Sequence, residues 1–565
     1  MRMSYWEYQG TAHTGVARIA CSMEGVHAVM YSPVGDTYIN SMFSMMEREQ
    51  RFPPVTTSVL NGQTMGMGIN KLPDTIRQVQ EDHNPDLIVV CCTCSSILLQ
   101  EDLGALGRAA NVPTEVLVYA PNPYRVQEDE AGDGLLSLLV SRYTQPLPPT
   151  ARPSVNIIGP TSLGFHNRQD LVSLKRMVET MGLDVNVVVP LGARLADFKK
   201  LPQAWATIAP YREMGYDAAK LLEEKCGVPA VTSTPIGVMA TREWVKELLG
   251  ALSKFATAHN LDYNVREPAL AAFSLDQTSA PSGVPWFNYT ADMQSFSSKR
   301  VFVFGDFSHA TTLTRMMASE VDVQIVGAGT YNLKLADEFK AYVAPYTTKT
   351  IVTLEFEEVQ KLIQELQPDV VLGTQMERHT SAAFDIPCTT ISNPIHIEDF
   401  PLGYQPFLGY DGSNYIMDRV YATAKLGLEK HLIEMFGDAG LGTKEAEQEG
   451  TQRRAANPHP AMPDAPDIIV VKPTATPELV TAGRAEPKPS ERMNVEAGAM
   501  PQRATIATVA APTSAAWTDE AQKALKQIPF FVRPKVQKRV EDYAREHGFA
   551  LITLDLVYEV KEKAG

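Results

Sequence analysis

Two short stretches, HNPDLIVVCCT (His83–Thr93) and LQPDVVLGTQ (Leu366–Gln375), set the strongest limit on what this chain can fold into. In each, a helical pattern ends, Pro-Asp follows, and an unbroken apolar run begins. An apolar run without alternation reads as a strand buried on both faces, which calls for parallel neighbours covered by helices. A second pattern occurs three times, in NVPTEVLVYAPNP (Asn111–Pro123), GVPAVTSTPIG (Gly227–Gly237) and DIPCTTISNPIH (Asp385–His396). Each joins a residue-Pro pair, a short β-prone run and a second proline at a turn. Such repetition predicts three α/β domains of one Rossmann-like type with parallel sheets, not one large sheet.

The first domain is expected over residues 1–150. It has strand candidates at Val55–Leu60 and Asp86–Cys91, a helix at Asp74–Glu81 and a helix from about Ser95. The second, 151–298, starts with the strand Val155–Ile158. The helix Leu171–Met181, the strand Val185–Val189 and the helix Tyr216–Glu224 follow, with Gly227 as stop signal. Thr241 reads as the N-cap of an amphipathic helix reaching His259. The third, 299–436, has the strand Val301–Phe304, a turn at GDFSHATT (Gly305–Thr312), the strand Val323–Gly327 and a helix ending near Leu366. Residues 437–516 are rich in Ala, Pro, Glu, Thr and Gly and read as a flexible linker, with one apolar island at Ile468–Val471. Residues 517–565 read as a small, mainly helical C-terminal domain whose ALITLDLVYEV segment is either strand or helix.

Charge and cysteine content narrow the function. A net charge of −15 argues against a nucleic-acid partner, which would need a basic face. No apolar run approaches the roughly 18–20 residues that span a bilayer, and the first residues lack a signal-peptide core. Six cysteines in 565 residues make no disulfide framework, so a reducing cytoplasm is the default compartment. The chain has no GxxxxGK[ST] loop, HExxH, GxSxG or helix-opening GxGxxG, which leaves nucleotide binding by this chain unsupported.

Candidate chemistry gathers at a few places. In VHAVMYSPVGDTYINSMFSMME (Val26–Glu47) an apolar strand breaks at Ser32-Pro33 and passes Gly35-Asp36 into helical spacing, so Asp36 either caps a helix or serves a site at its N-terminus. Cys91, Cys92 and Cys94 stand at a strand's carboxyl end, where such sheets place ligands, but they also suit small apolar filling. Asp276, in AAFSLDQTSAPSGVPWF, is a turn residue or a carboxyl kept protonated by apolar surroundings. His396, in NPIHIEDF, is a structural histidine or a proton donor. His166 and His309 follow strands and are read as capping or turn residues.

Taken together, YSPVGDTYIN, DLIVVCCTCSSILLQEDL, SLDQTS, TPIGVMAT and ISNPIHIEDFP resemble the B-subunit family of light-independent (dark-operative) protochlorophyllide reductases, relatives of the nitrogenase molybdenum–iron protein subunits. The resemblance covers residues 1–430 and the last fifty. It implies a heterotetramer of two N and two B subunits and a [4Fe-4S] cluster held by three N-subunit cysteines and one B-subunit aspartate, here Asp36. Cys91, Cys92 and Cys94 stay as rival ligands or neighbours. It also implies ATP-dependent reduction of the C17=C18 bond of protochlorophyllide in chlorophyll and bacteriochlorophyll biosynthesis, with ATP hydrolysed by a separate, transiently bound L-subunit dimer. Asp276 then matches the proton donor and His396 a second residue lining the substrate site. A chlorophyllide a reductase subunit and a non-catalytic metallocluster scaffold are the alternatives.

Overall fold

The structure is a computed structural model that describes residues 8–36, 52–61, 70–268, 296, 299–395 and 399–424, with 516–518, 521, 537, 540–541, 543–544, 551–554 and 556 near the C-terminus. The chain divides into two compact units, Met1–Pro460 and Ala461–Gly565. The larger unit holds three parallel sheets. Strands β1 (Val26–Pro33), β2 (Val55–Leu60), β3 (Leu87–Cys92) and β4 (Glu115–Val118) form the first, in the order β2-β1-β3-β4. The second contains β5 (Ser154–Ile158), β6 (Asp184–Val189), β7 (Ala206–Ile208) and β8 (Ala230–Val231), in the order β6-β5-β7-β8. The third, of β9 (Arg300–Gly305), β10 (Gln324–Thr330), β11 (Thr350–Val352), β12 (Val370–Gly373) and β13 (Cys388–Thr390), runs β11-β10-β9-β12-β13.

The repeated sequence patterns fall on equivalent strands. The two Pro-Asp runs are β3 and β12, each beside the first strand of its sheet and on the side away from the second. Each follows a helix closed by a left-handed residue, Asn84 (φ 41) and Gln367 (φ 44). In each, the aspartate backbone N–H bonds across to the neighbouring strand's start: Asp86 to Gly25 O at 2.7 Å, Asp369 to Arg300 O at 2.8 Å. The β-prone runs of the threefold pattern are β4, β8 and β13, the last strand of each sheet.

Burial on both faces accounts for the unbroken apolar runs. Along β3, Leu87, Val89 and Cys91 enter the large core, while Ile88, Val90 and Cys92 enter a second cluster on the opposite face. Some helix starts differ from the sequence reading. Thr241 lies inside the helix Val238–His259, its hydroxyl bonded back to Gly237 O. That helix is capped from afar, where the Glu320 carboxylate accepts from Val238 N (3.0 Å) and Met239 N (3.1 Å). GDFSHATT is not a turn but the entry to the helix Phe307–Glu320, with Asp306 as N-cap. The expected helix from Ser95 is a short 3-10 turn, Ser96–Leu99, ended by left-handed Gln100. A separate helix, Leu103–Ala109, follows and is capped by Asp102.

In the smaller unit Ala516–Trp517 pairs in parallel with Leu551–Ile552, and Ala521, Val540, Ala544, Ile552 and Leu556 form a small core. ALITLDLVYEV therefore begins as strand and turns helical by Leu554. The 437–515 part of the expected linker lies outside the described residues, as does the helical segment expected after Asp36.

The helices Ala12–Ser22 and Glu128–Tyr143 touch backbone to backbone at Gly15. A Cβ there would lie 2.1 Å from the Glu128 carbonyl oxygen and 2.8 Å from Gly132 N. This closeness seats Arg18 on Glu128, Nε to Oε1 at 2.9 Å, with both side chains buried. Gly15→Ala should lower stability by about 1–3 kcal/mol, the usual cost of overpacking. Gly250→Ala, in a helix with nothing within 4 Å of the added carbon, should be neutral or slightly stabilising. Urea titration of the full chain compares the two.

Candidate functional site

In each sheet the order of strand addition reverses between two central, parallel strands: β1 and β3, β5 and β7, β9 and β12. Outside the carboxyl ends of such a pair the connections diverge and leave a crevice, the usual place for ligands in open α/β sheets. In the first sheet that crevice holds Asp36, the third residue beyond β1, and Thr93, the first beyond β3. The Thr93 hydroxyl donates to Asp36 Oδ2 at 2.7 Å, and among the described residues nothing bonds to Oδ1. His13, from the helix Ala12–Ser22, bonds through Nε2 to the Asp36 carbonyl oxygen at 3.1 Å. Burial holds its pKa below the ordinary histidine value, only partly offset by Asp36, so a neutral ring with Nε2–H donating fits the contact. Three nearby segments carry exposed apolar side chains: Val34 (80 %) two residues before Asp36, Leu98 (68 %) in the 3-10 turn after Thr93, and Tyr124 (61 %), whose hydroxyl reaches Cys94 O.

The adjacent cysteines divide. Cys91 and Cys92 are buried in opposite cores, and burial above all raises both thiol pKa values, which disfavours thiolate. They are apolar filling. Cys94 is half-buried on the crevice turn, its carbonyl accepting from the Tyr124 hydroxyl at 2.9 Å.

A second polar group lies at the carboxyl ends of the other two sheets, around a cavity of about 50 Å³ lined by Arg18, Asp129, Tyr211, Glu213, Asp306 and His309, among others. The volume takes a few waters and falls far short of the roughly 300–1,000 Å³ of small-molecule sites. Asp306 accepts from His309 N and Nδ1, both at 2.8 Å, and from Ser392 Oγ at 2.8 Å. Glu213 Oε2 accepts from Ser308 N (3.1 Å) and Oγ (2.6 Å). Among the described residues, three or more possible metal-binding atoms converge only at Glu213, Asp306 and His309. That set offers two carboxylates and an imidazole, not the thiolates an iron–sulfur cluster favours.

Residues 11–425 match the family described as Nitrogenase component 1 type Oxidoreductase, and residues 517–561 match the Proto-chlorophyllide reductase 57 kD subunit. The chain is 48% identical over 565 residues to the B subunit of light-independent protochlorophyllide reductase from Chloroflexus aggregans, with full coverage of both chains. It is 47% identical to the protein of the same name from Roseiflexus sp. and 46% to that from Chloroherpeton thalassium, again with full coverage of both. The chain belongs to the light-independent protochlorophyllide reductase B-subunit family. That family lies within the nitrogenase component 1 type oxidoreductases. The fold agrees: a solved structure titled Nitrogenase Cp1 at pH 6.5 superposes with a TM-score of 0.61 at 19% identity, covering 75% of this chain and 94% of that one. Among the described residues no helix is long and apolar enough to cross a membrane.

In this family member Asp36 and the half-buried Cys94 share one crevice, while Asp276 and His396 lie outside the described residues. His166 occupies the N-cap position of the helix Asn167–Thr180 in a left-handed conformation, its Nδ1 bonded to Gln405 O. Burial pushes its pKa down to about 3, so the ring is neutral. His309 is not a cap but lies in the first turn of its helix, bonded to the true cap, Asp306. Thr93 and His13 are not among the candidates the sequence offers. A signal for Thr93 existed, since both Pro-Asp runs place a threonine directly after the apolar strand, Thr93 and Thr374.

Loss of solvent, with Asp306 close by, pushes Glu213 up to about 8, and burial pushes Asp129 up to about 7. The folded chain therefore binds these protons more tightly than the unfolded one. Their stabilising contribution is complete below the ordinary carboxylate range and is lost as pH rises through about 7 to 8. His309 adds to this trend, because Asp306 and Glu213 together outweigh burial and hold its pKa above the ordinary value. Thermal unfolding should show stability falling between pH 6 and pH 8.5, with a shallower fall for Glu213→Gln. An unchanged slope in that variant would show that Glu213 does not hold the proton.

Proposed function

We propose that this chain is the B subunit of the catalytic component of a cytoplasmic light-independent protochlorophyllide reductase. It pairs with an N subunit in a heterotetramer of two N and two B and reduces the C17=C18 bond of protochlorophyllide to give chlorophyllide a. The observation that carries the reading is identity of 46–48% over full length to proteins of that name. Electrons reach the complex from a separate L-subunit dimer that hydrolyses ATP, in keeping with the lack of a phosphate loop in this sequence.

The crevice suits a shared [4Fe-4S] cluster. Asp36 offers one carboxylate oxygen, Oδ1, with no internal partner among the described residues. Gly35 beside it has open space where a side chain would stand. Cys91 and Cys92 are turned into the cores, Cys94 is a neighbour of the cluster, and three N-subunit cysteines are the other ligands, as the family resemblance implies; the exposed side chains of Val34, Leu98 and Tyr124 are what a covering protein would bury. When bound, the cluster supplies electrons one at a time. Asp36 holds it through oxygen, a harder donor than thiolate. Asp276 holds a proton for delivery to the ring system, whose basicity rises as electrons arrive, and His396 lines the same site.

Assembled with its N subunit and supplied with the L dimer, ATP, dithionite and protochlorophyllide, the complex should produce chlorophyllide absorbance. Its absence from a cluster-loaded complex would overturn the reading. Asp36→Ala should lose iron or change the electron paramagnetic resonance (EPR) spectrum of the reduced cluster. Asp276→Ala should retain the cluster but lose turnover by roughly 10²–10⁴-fold, the usual range for a positioned acid. Normal turnover in that variant would remove the proton-donor role.

A further inference from the structure

Thr93 is fixed more firmly than the residue it touches. It is fully buried, immediately beyond β3, and its backbone is tied into a tight turn: Thr93 N donates to Ser96 Oγ at 2.8 Å, and Ile97 N donates to Thr93 O at 3.1 Å. A β-branched side chain has little rotamer freedom in such a setting. Its hydroxyl proton has a clear destination. The partner is Asp36 Oδ2 at 2.7 Å, and an ionised carboxylate only accepts, so Thr93 donates. Ser96 Oγ, the other hydroxyl within reach, is farther away at 3.5 Å.

Two consequences follow for Asp36, which is only half-buried and follows a left-handed Gly35 (φ 110). The bond to Oδ2, together with the His13 contact to the Asp36 carbonyl oxygen, limits the rotation of the carboxylate and leaves Oδ1 as the oxygen with no bond among the described residues. It also draws negative charge toward Oδ2, leaving the carboxylate a weaker electron donor. Hydrogen bonds to metal ligands both orient them and tune the metal they hold.

We infer that Thr93 is a positioning residue, which through its hydroxyl selects Asp36 Oδ1 as a single-oxygen ligand and sets the potential of the group that oxygen holds. This rests on the reading of Asp36 as a cluster ligand. A carboxylate relieved of its hydrogen bond donates more charge and stabilises the oxidised cluster, so removing the Thr93 hydroxyl moves the potential in the negative direction.

The test uses the anaerobically purified complex with the N subunit, carrying wild-type chain, Thr93→Val, Thr93→Ala, Thr93→Ser or Asp36→Ala. Valine keeps the branched shape without the hydroxyl, alanine removes the hydroxyl without risk of overfilling, and serine keeps the hydroxyl alone. Iron content, the EPR spectrum of the reduced cluster and its midpoint potential are measured for each. Either Thr93→Val or Thr93→Ala should lower the reduced-to-oxidised ratio at fixed solution potential by roughly tenfold, about 59 mV for a one-electron couple. The same variants should alter the EPR line shape, and Thr93→Ser should restore both properties toward wild type. Wild-type potential and spectrum in the hydroxyl-free variants, or no recovery with serine, would overturn the role of Thr93. Wild-type iron and spectrum in Asp36→Ala would instead overturn Asp36 as a ligand, so the two failures are told apart.

Discussion

A parallel sheet covered on both faces commits polar side chains along its strands to internal bonds, as Asn156 in β5 is bonded to Leu201 O and Thr207 Oγ1. β3 shows the constraint in six residues: three side chains enter one apolar core and three the other, the thiols of Cys91 and Cys92 among them. Groups that must meet a ligand are left the strand ends, and among those the carboxyl ends, where the direction of chain winding reverses and neighbouring connections part. All three sheets of the larger unit share that reversal. Asp36 and Thr93 occupy it in the first sheet; Tyr211 and Glu213 follow β7 in the second, and Asp306 follows β9 in the third.

What the sequence made legible follows from the same constraint. Continuous apolar runs, the Pro-Asp entries to β3 and β12, and the proline-bounded runs of β4, β8 and β13 are local signals of a local requirement, and they located equivalent strands without a partner structure. Asp36 was legible as the residue after a broken strand. Remote partnerships left no such trace. The helix Val238–His259 is capped by Glu320, 82 positions beyond Val238, so Thr241 stands out as the nearest conventional cap although it lies inside the helix. In Phe307–Glu320 the threonines 311, 312 and 314 disguise a helix as a turn, because their hydroxyls bond back to carbonyls one turn earlier.

The buried polar cluster was illegible for the same reason, because Arg18, Asp129, Glu213 and Asp306 come from four distant places in the chain. Its contacts tie the first helix to the ends of the second and third sheets: Arg18 reaches Glu128 and the Ser162 carbonyl, and Glu213 reaches Ser308. Removing one member strands its partners, while a fully paired network helps fix a single arrangement. Raised carboxyl pKa values here report tight enclosure, and the small cavity gives a substrate no room.

Asp36 and Asp306 differ in how much of their acceptor capacity internal bonds already use. Both stand just beyond the carboxyl end of the first strand in their sheets. Asp306 accepts from a backbone N–H, an imidazole and a serine hydroxyl, so an incoming group would have to displace bonds already made. Asp36 accepts one hydroxyl at Oδ2, and among the described residues nothing bonds to its other oxygen. A carboxylate held in place by a single internal bond, with acceptor capacity to spare, is oriented before a ligand arrives. Reduced reorganisation on binding is the advantage of that arrangement. Thr93 therefore matters to Asp36 for the bond it makes and equally for the oxygen it leaves free.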